Sequence, residues 1–592
     1  MNFSSSKRSN KWTINAELSV FILILILSST IPAQTIPAAR LSNWSHAGLR
    51  DSVPVVQNVV DFSLNGGVGD GVTVNNVALQ SLLNTVTAPA VIYFSPGNYL
   101  FTSALNLPDG IVLRGAGADQ SVLTFNLNGG GSNLISINGS ATAVTTAINS
   151  SATRHSNFVV VANASQFNTG DYVYIKDNDS STVFSSWAYG SSGQVNVIDT
   201  IISDTIVLRD ELRRNYYLNR NPVIKKILPA SFCGIECLKI DRLDATVSQT
   251  SAIAMTYARD CWVKAVESNN CNFAHVEISW STDIEISGSY FHHAFAYGGG
   301  GQGYGVAIQY ASGNCLITNN CFNHLRHSIL FQAGANGNVA SYNYSTDPYW
   351  SSFPSNSAGD IVMHGNYPYC NLVEGNIAQN IVVDASHGIN GPDNLFFRNR
   401  AELYGIVMST NPASDSVMYA GNEVTNTGFL MGNYTLNGNG HFQYGNNIRG
   451  TITPANTNVL PEESYYLTTP PTWLSAWPGI GTSYPYNMGT VPAKTRFNNQ
   501  IYTDCNAVLT AVQPSTQVNE VVLFPSLCDD YITISGSSEN YTVSIFDISG
   551  KRVLADNVSA GIPVNIEMLA PGMYSVLIEG NEERSVKKIV KQ

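Results

Sequence analysis

LITNN (316–320), VASYN (339–343), LVEGN (372–376), LFFRN (395–399) and MYAGN (418–422) are five versions of one phrase. Each opens on an apolar residue and closes on Asn. The closing residues Asn320, Asn343, Asn376, Asn399 and Asn422 follow one another at 23, 33, 23 and 23 residues. The long step is explained by an insertion between Pro348 and Ala358. Upstream of each phrase lies a second short apolar run, at 306–308, 329–331, 361–363, 381–383 and 406–408. A unit of about 23 residues with at least two short strands and a turn bearing Asn is one coil of a right-handed parallel β-helix. Each coil buries its apolar side chains by stacking on its neighbours, so the repeat is the fold. An Asn recurring at one coil position forms a hydrogen-bonded ladder for turn backbone groups inside the stack. Leucine-rich repeats fail for want of a Leu-x-x-Leu-x-Leu pattern, and a propeller needs a period of about 40 or more.

Working outward, the whole chain has the composition of such a protein. Its 592 residues are 44% apolar and 12% charged, with 61 Asn, 48 Gly and 29 Tyr. This excludes a disordered chain and favours short strands joined by turns over helices. A net charge of −12 argues against a nucleic-acid partner. Residues 150–228 break the coil rhythm: GDYVYIKD (170–177), GQVNVIDTII (193–202) and DTIVLRDEL (204–212) read as an antiparallel β insertion. After Asn446 the pattern dissolves, and the Pro- and Trp-rich stretch 447–515 is expected to wrap and close the C-terminal end of the solenoid. The expected solenoid spans 50–515 and the class is all-β.

The two ends speak of export. Lys7, Arg8 and Lys11 precede an apolar run from Leu18 to Leu27 and then small residues, the layout of a secretory signal peptide over 1–34. The run is shorter than the roughly 20 residues that span a bilayer, so no transmembrane segment is expected in the mature chain. Residues 520–592 read as alternating strands of a small β-sandwich. Nine cysteines, an odd number, leave pairing open, and Cys233-x-x-x-Cys237 has no second pair at zinc-like spacing.

Two resemblances follow. NVVDFSLNGGVGDGVTVNNVALQSLL (58–83), VIYFSPGNYLF (91–101) and DGIVLRGAGAD (109–119) resemble the N-terminal cap of the pectate-lyase superfamily, where a Gly69-Asp70-Gly71 turn would lead into a short capping helix. The segments 260–268, 281–294 and 304–309 look like further coils of it. The tail, with Phe524-Pro525, Asp547, Gly550-Lys551, Leu569-x-x-Gly572-x-Tyr574 and a Lys-rich last strand, resembles the C-terminal sorting domain of type IX secretion. Leu527 stands near where a second Pro is usual. This resemblance implies a Bacteroidota source, the type IX machinery as a partner, and a secreted or surface-attached protein; a monomer is expected.

Eight of the ten histidines fall between His275 and His441. His364 and His387 each lie twelve residues before a ladder Asn and each precedes Gly, so they are expected on adjacent coils about 5 Å apart. Gln309 and Gln332, eleven residues before their own Asn, extend the column. Around it stand Arg326, His327, Asp360, Asp384 and Arg398, with Tyr344, Trp350 and Tyr367 as candidate sugar-stacking rings. Asp360 and His364 share a strand face; Asp384 reaches His387 if the strand ends between them. Three function classes remain open. A polysaccharide lyase acting on a uronate glycan needs a base, an acid and a carboxylate neutraliser, for which Ca²⁺, Arg and Gln are candidates. The aspartate-rich calcium cluster of pectate lyases is absent from the sequence. A glycoside hydrolase needs two carboxylates, here Asp360 and Asp384. A non-catalytic glycan-binding adhesin would use the same groove.

Overall fold

The computed structural model describes residues 34–50, 56–298, 300–350, 358–505, 522–524, 527–535, 540–548, 550–580 and 584–592. The expected signal peptide lies outside these residues except for Gln34, and so does most of the insertion between Pro348 and Ala358. Two compact units divide the chain, 1–508 and 509–592.

The first unit is a parallel β-helix. Twelve parallel strands, from Val59–Asp61 to Phe442–Tyr444, form one long sheet. Further parallel strands build the other faces, so the coil that begins at Leu316–Thr318 continues through Cys321–Asn323 and His327–Phe331 before Val339–Ser341 opens the next. This coil therefore has three strands, with the ladder Asn in the turn between the first and second; in the coils from Leu372 and Leu395 the second and third merge into Ile377–Val383 and Arg400–Met408. The repeat arises because inward side chains such as Ile317, Phe322, Ile329 and Phe331 stack into one continuous core that no single coil could bury.

The ladder itself runs through six residues. Asn320 Nδ2 donates to Asn343 Oδ1 at 3.0 Å, and Asn343, Asn376, Asn399 and Asn422 repeat the bond to the next at 2.9, 2.9, 3.0 and 2.9 Å, ending on Asn446. The oxygens of Asn343, Asn376, Asn399, Asn422 and Asn446 also accept the backbone N–H of the preceding Asn, that of Asn320 accepts the Ser289 N–H, and each amide also donates to a backbone carbonyl. A second ladder, Asn338 to Asn371 to Asn394, runs beside it. Every member of both is buried, which satisfies turn groups that water does not reach.

At the N-terminal end the helix Asn76–Thr85 lays Leu79, Leu82 and Leu83 over the first coil. The insertion is a six-stranded antiparallel sheet from Ser140–Ala147 to Val223–Leu228, with its own core of Val159, Val173, Ile198, Ile206 and Ile224. It begins at Ser140, ahead of the break in rhythm at 150. Arg213 ties it to the coils through Asn314 and Asn336.

After an antiparallel hairpin at Asn446–Ile448 and Thr451–Thr453, the chain runs back along the solenoid's flank. The outward face of the first sheet carries Val339, Leu372, Leu395, Phe397 and Met418, which are as apolar as inward residues and need a cover. Leu460, Tyr466 and Ile480 supply it, joined by Ile36 and Trp44 of the N-terminal segment. Cys505, beyond the helix Pro492–Asn498, forms a disulfide with Cys237 across 268 residues; Cys233 takes no part in a pair with it.

The second unit holds a three-stranded and a five-stranded sheet. Ile532, Ile534, Val543, Ile545, Val576, Ile578 and Ile589 form a core of their own, as in a small β-sandwich.

Candidate active site

The third strand of each coil delivers the polar column. Met363 pairs with Val383, Phe331 with Met363, and Ile308 with Phe331, so the residues just beyond or at the strand ends, Gln309, Gln332, His364 and Asp384, form one row along the axis. These side chains escape the core because the chain turns there. Gly365 and Gly388, both with positive φ, make the turn tight: a Cβ on Gly365 would lie 2.6 Å from the His387 backbone, and one on Gly388 2.5 Å from Phe184. That is the physical reason for the His-Gly repeat.

A cavity of about 420 Å³ opens over this row. His364, His387, Gln309, Gln332 and Arg326 line it, as the column implies, together with Glu277, Tyr304, Tyr310 and Trp187. His364 Nδ1 lies 2.6 Å from Asp384 Oδ2. Asp384 Oδ1 accepts the Ser386 backbone N–H at 3.0 Å. Burial raises the Asp384 pKa, but the adjoining His364 ring outweighs it, and the net displacement is below the ordinary carboxylate value. An ionised Asp384 accepts the Nδ1–H of His364 as a hydrogen bond, which fixes the ring's tautomer. The His364 and His387 rings are 5.1 Å apart, and His327 lies 5.1 Å behind His364.

His327 is held by a bond between Nδ1 and the Gly359 carbonyl at 2.8 Å. Burial, with His364 and Arg326 nearby, lowers its pKa to about 3, so the ring is neutral. His387 is displaced downward for the same causes, with Asp384 opposing them. Arg326 donates to the Gly298 carbonyl at 2.8 Å and sits 3.5 Å from the Tyr304 hydroxyl. Gln332 Nε2 donates to the His364 carbonyl at 3.2 Å. Glu277 accepts from Ser251 at 3.0 Å and Gln309 at 3.1 Å; burial raises its pKa more than these bonds lower it.

Other residues named from the sequence lie elsewhere. Asp360 is fully buried, accepts the backbone N–H groups of Gln379 and Asn380 at 2.6 and 3.0 Å, and serves the bulge in the strand Ile377–Val383. Arg398 donates to the carbonyls of Leu460, Glu462 and Ile480 and so fastens the returning segment to the first sheet. Tyr344 packs on Phe497, Trp350 against Tyr404, and Tyr367 beside Tyr369 under the insertion. Asp384 meets His364 rather than His387, because strand register sets the two side by side while His387 follows the turn.

The sequence reading missed Trp187, Tyr304, Tyr310 and Glu277. Glu277 had a usable signal, an acid inside the apolar strand Ala274–Ser279. Trp187 had none, being 200 residues away from His387. Among the described residues no group of three or more His, Cys, Asp or Glu side chains is placed to hold a metal ion. Among the described residues Glu277 is the one carboxylate lining the cavity and Asp384 is engaged by His364, a poor match to the several oxygens Ca²⁺ requires.

Residues 56–202 match the family described as rhamnogalacturonase A/epimerase, pectate lyase-like. Residues 522–592 match the secretion system C-terminal sorting domain. The chain carries a pectate-lyase-like domain and a type IX sorting tail. That tail directs export to the cell surface or the medium. The pectate-lyase-like match covers the first coils and much of the insertion, including Trp187, and ends before the row from Gln309 to Asp384. No curated protein matches the chain in sequence. Among solved structures, the gp54 tailspike of Acinetobacter baumannii bacteriophage AP22 is 14% identical with a TM-score of 0.43, over 65% of this chain and 70% of that one. The gp49 tailspike of Pseudomonas phage LKA1 is 16% identical with a TM-score of 0.45, over 62% and 64%. The A-module of Azotobacter vinelandii mannuronan C-5 epimerase AlgE4 is 12% identical with a TM-score of 0.35, over 66% and 96%. Among the described residues no helix is long and apolar enough to cross a membrane.

Proposed function

We propose that the protein is a secreted polysaccharide lyase that cleaves a uronate-containing glycan by β-elimination. The observation that carries this reading is the Asp384–His364 pair at the edge of a cavity that also holds Arg326, Gln332 and Tyr304. His364 Nε2 removes the proton beside the uronate carboxylate. The electron pair left behind forms the new C=C bond, the C–O bond to the neighbouring sugar breaks, and the leaving oxygen takes a proton from the Tyr304 hydroxyl. Asp384 fixes the His364 tautomer and faces the positive charge the ring acquires. Arg326 and the Gln332 amide meet the substrate carboxylate, whose charge spreads as the proton leaves. His327 is neutral and burial biases His387 toward the neutral form, so both wall the site with little repulsive charge beside Arg326. Neutralisation by these side chains makes calcium dispensable in this reading.

Glycoside hydrolysis is the second reading, but Glu277 and Asp384 lie four strand steps apart, roughly 19 Å at the spacing of neighbouring strands, too far to act as its carboxyl pair, so Glu277 would need another partner. A single assay separates the two. The protein is incubated with homogalacturonan, alginate, glucuronan and rhamnogalacturonan while absorbance near 235 nm and new reducing ends are followed. Elimination raises both; hydrolysis raises reducing ends alone and overturns the lyase reading. Binding with neither change leaves a glycan-binding surface protein.

A further inference from the structure

The inserted β sheet does more than decorate the solenoid, because one of its loops forms a wall of the cavity. Residues 178–192 are clamped at several points. Asn366 Oδ1 accepts the backbone N–H groups of Phe184 and Ser185 at 3.0 and 2.8 Å. The Asp179 carboxylate accepts those of Gly190 and Ser192 at 2.7 and 2.9 Å. Val183 and Ala188 are buried against Ala333 and Tyr367. Gly334 permits the closest approach, since a Cβ there would lie 2.0 Å from the Ser191 carbonyl oxygen.

Yet the ring this rigid loop presents is left open. Trp187, on the short turn Ser186–Ala188, keeps 47% of its surface exposed and lines the cavity. It stands edge-to-face to His387 at 5.5 Å and to Tyr310 at 5.9 Å. Tyr310 continues a stack through Trp280 at 4.3 Å to Tyr257 at 5.4 Å, up the coils away from the histidines. An indole held in one orientation, half exposed and beside candidate proton-transfer groups, costs little further entropy to place against a ligand. Its face suits the apolar C–H surface of a pyranose ring. Ser185 Oγ, 3.3 Å from His387 Nδ1, links the same loop to that imidazole.

We infer that Trp187 is a sugar-stacking platform, holding a pyranose unit beyond the two that flank the cleaved linkage, on the insertion side of the cavity. The insertion thereby selects chains long enough to occupy the cavity and the platform together. This inference rests on the reading of the cavity as a glycan site and is independent of whether the bond is eliminated or hydrolysed.

The test uses the full chain with Trp187→Ala and Trp187→Phe, and oligosaccharides of two to eight units from homogalacturonan and alginate. On long oligomers Trp187→Ala is expected to raise KM about tenfold and to leave kcat within about twofold, while Trp187→Phe recovers most of the loss. On the shortest cleavable oligomer, which does not reach the platform, the variant equals wild type. A fall in kcat alone, an equal loss at all lengths, or no effect overturns the platform. A second measurement removes catalysis: calorimetric binding of the same oligomers, and of a panel of neutral glycans, to His364→Ala with and without Trp187→Ala. Loss of binding with the second substitution sustains the platform even if no absorbance at 235 nm ever appears, which would sink elimination alone. Absence of binding to His364→Ala across the panel overturns the platform itself.

Discussion

His364 and Asp384 stand at the ends of paired strands on successive coils, with Nδ1 and Oδ2 2.6 Å apart. Twenty residues of chain separate them, and the parallel register alone makes them neighbours. Replacing Asp384 by Asn keeps the shape and removes the charge that holds the tautomer. The expected result is a fall in kcat of about a hundredfold or more with KM little changed, measured on whichever glycan the wild type cleaves. Unchanged kcat in a variant with wild-type circular dichroism would remove Asp384 from the mechanism.

Glu277 separates the two chemical readings. As the partner that holds Gln309, it should tolerate Gln with a loss of about threefold or less, because the amide still bonds Ser251 and Gln309. As the acid of a hydrolase it should not: Glu277→Gln would then lower kcat by about a thousandfold. Initial rates at pH 6 to 8 decide between these outcomes.

Asp360 makes a prediction about stability and pH. Burial raises its pKa to about 6, against the backbone hydrogen bonds from Asn380 and Gln379 that pull it down. Its folded value thus exceeds the unfolded one of about 3.9. Its contribution is complete below the unfolded value and is lost as pH rises through about 6, to a total near 3 kcal/mol. Asp360→Asn does not titrate, so relative to wild type it should gain stability between pH 4 and pH 8. Urea midpoints at those two pH values measure the difference; a constant offset would contradict the assignment.

The Asn ladder predicts a steep cost for one small change. Asn399 accepts from the backbone and side-chain amides of Asn376 and donates to the Val373 carbonyl and to Asn422. Asn399→Ala strands buried donors and acceptors on both sides, so a loss of about 3–5 kcal/mol is expected. Chemical denaturation of the first unit reads it directly, and a loss below about 1 kcal/mol would mean that water enters the turn.

The repeat, the ladder and the sorting tail were legible in the sequence because each repeats or matches over adjacent residues. Stacked coils must place Asn320, Asn343 and Asn376 at one turn, and the same rule lines up Gln309, Gln332 and His364. Tertiary structure decided what the rule does not reach. Where a strand ends determines which neighbour a side chain meets, so Asp384 turns to His364 and Asp360 turns inward to a strand bulge. Arg398 looked like a site residue, yet an apolar outer sheet face drew the C-terminal segment back over it. Trp187 came to the cavity through the docking of a whole inserted sheet, a contact set by burial and by buried polar pairs such as Asn366 with the Phe184 and Ser185 amides. Such contacts join residues some two hundred positions apart, and no local pattern in the chain encodes them.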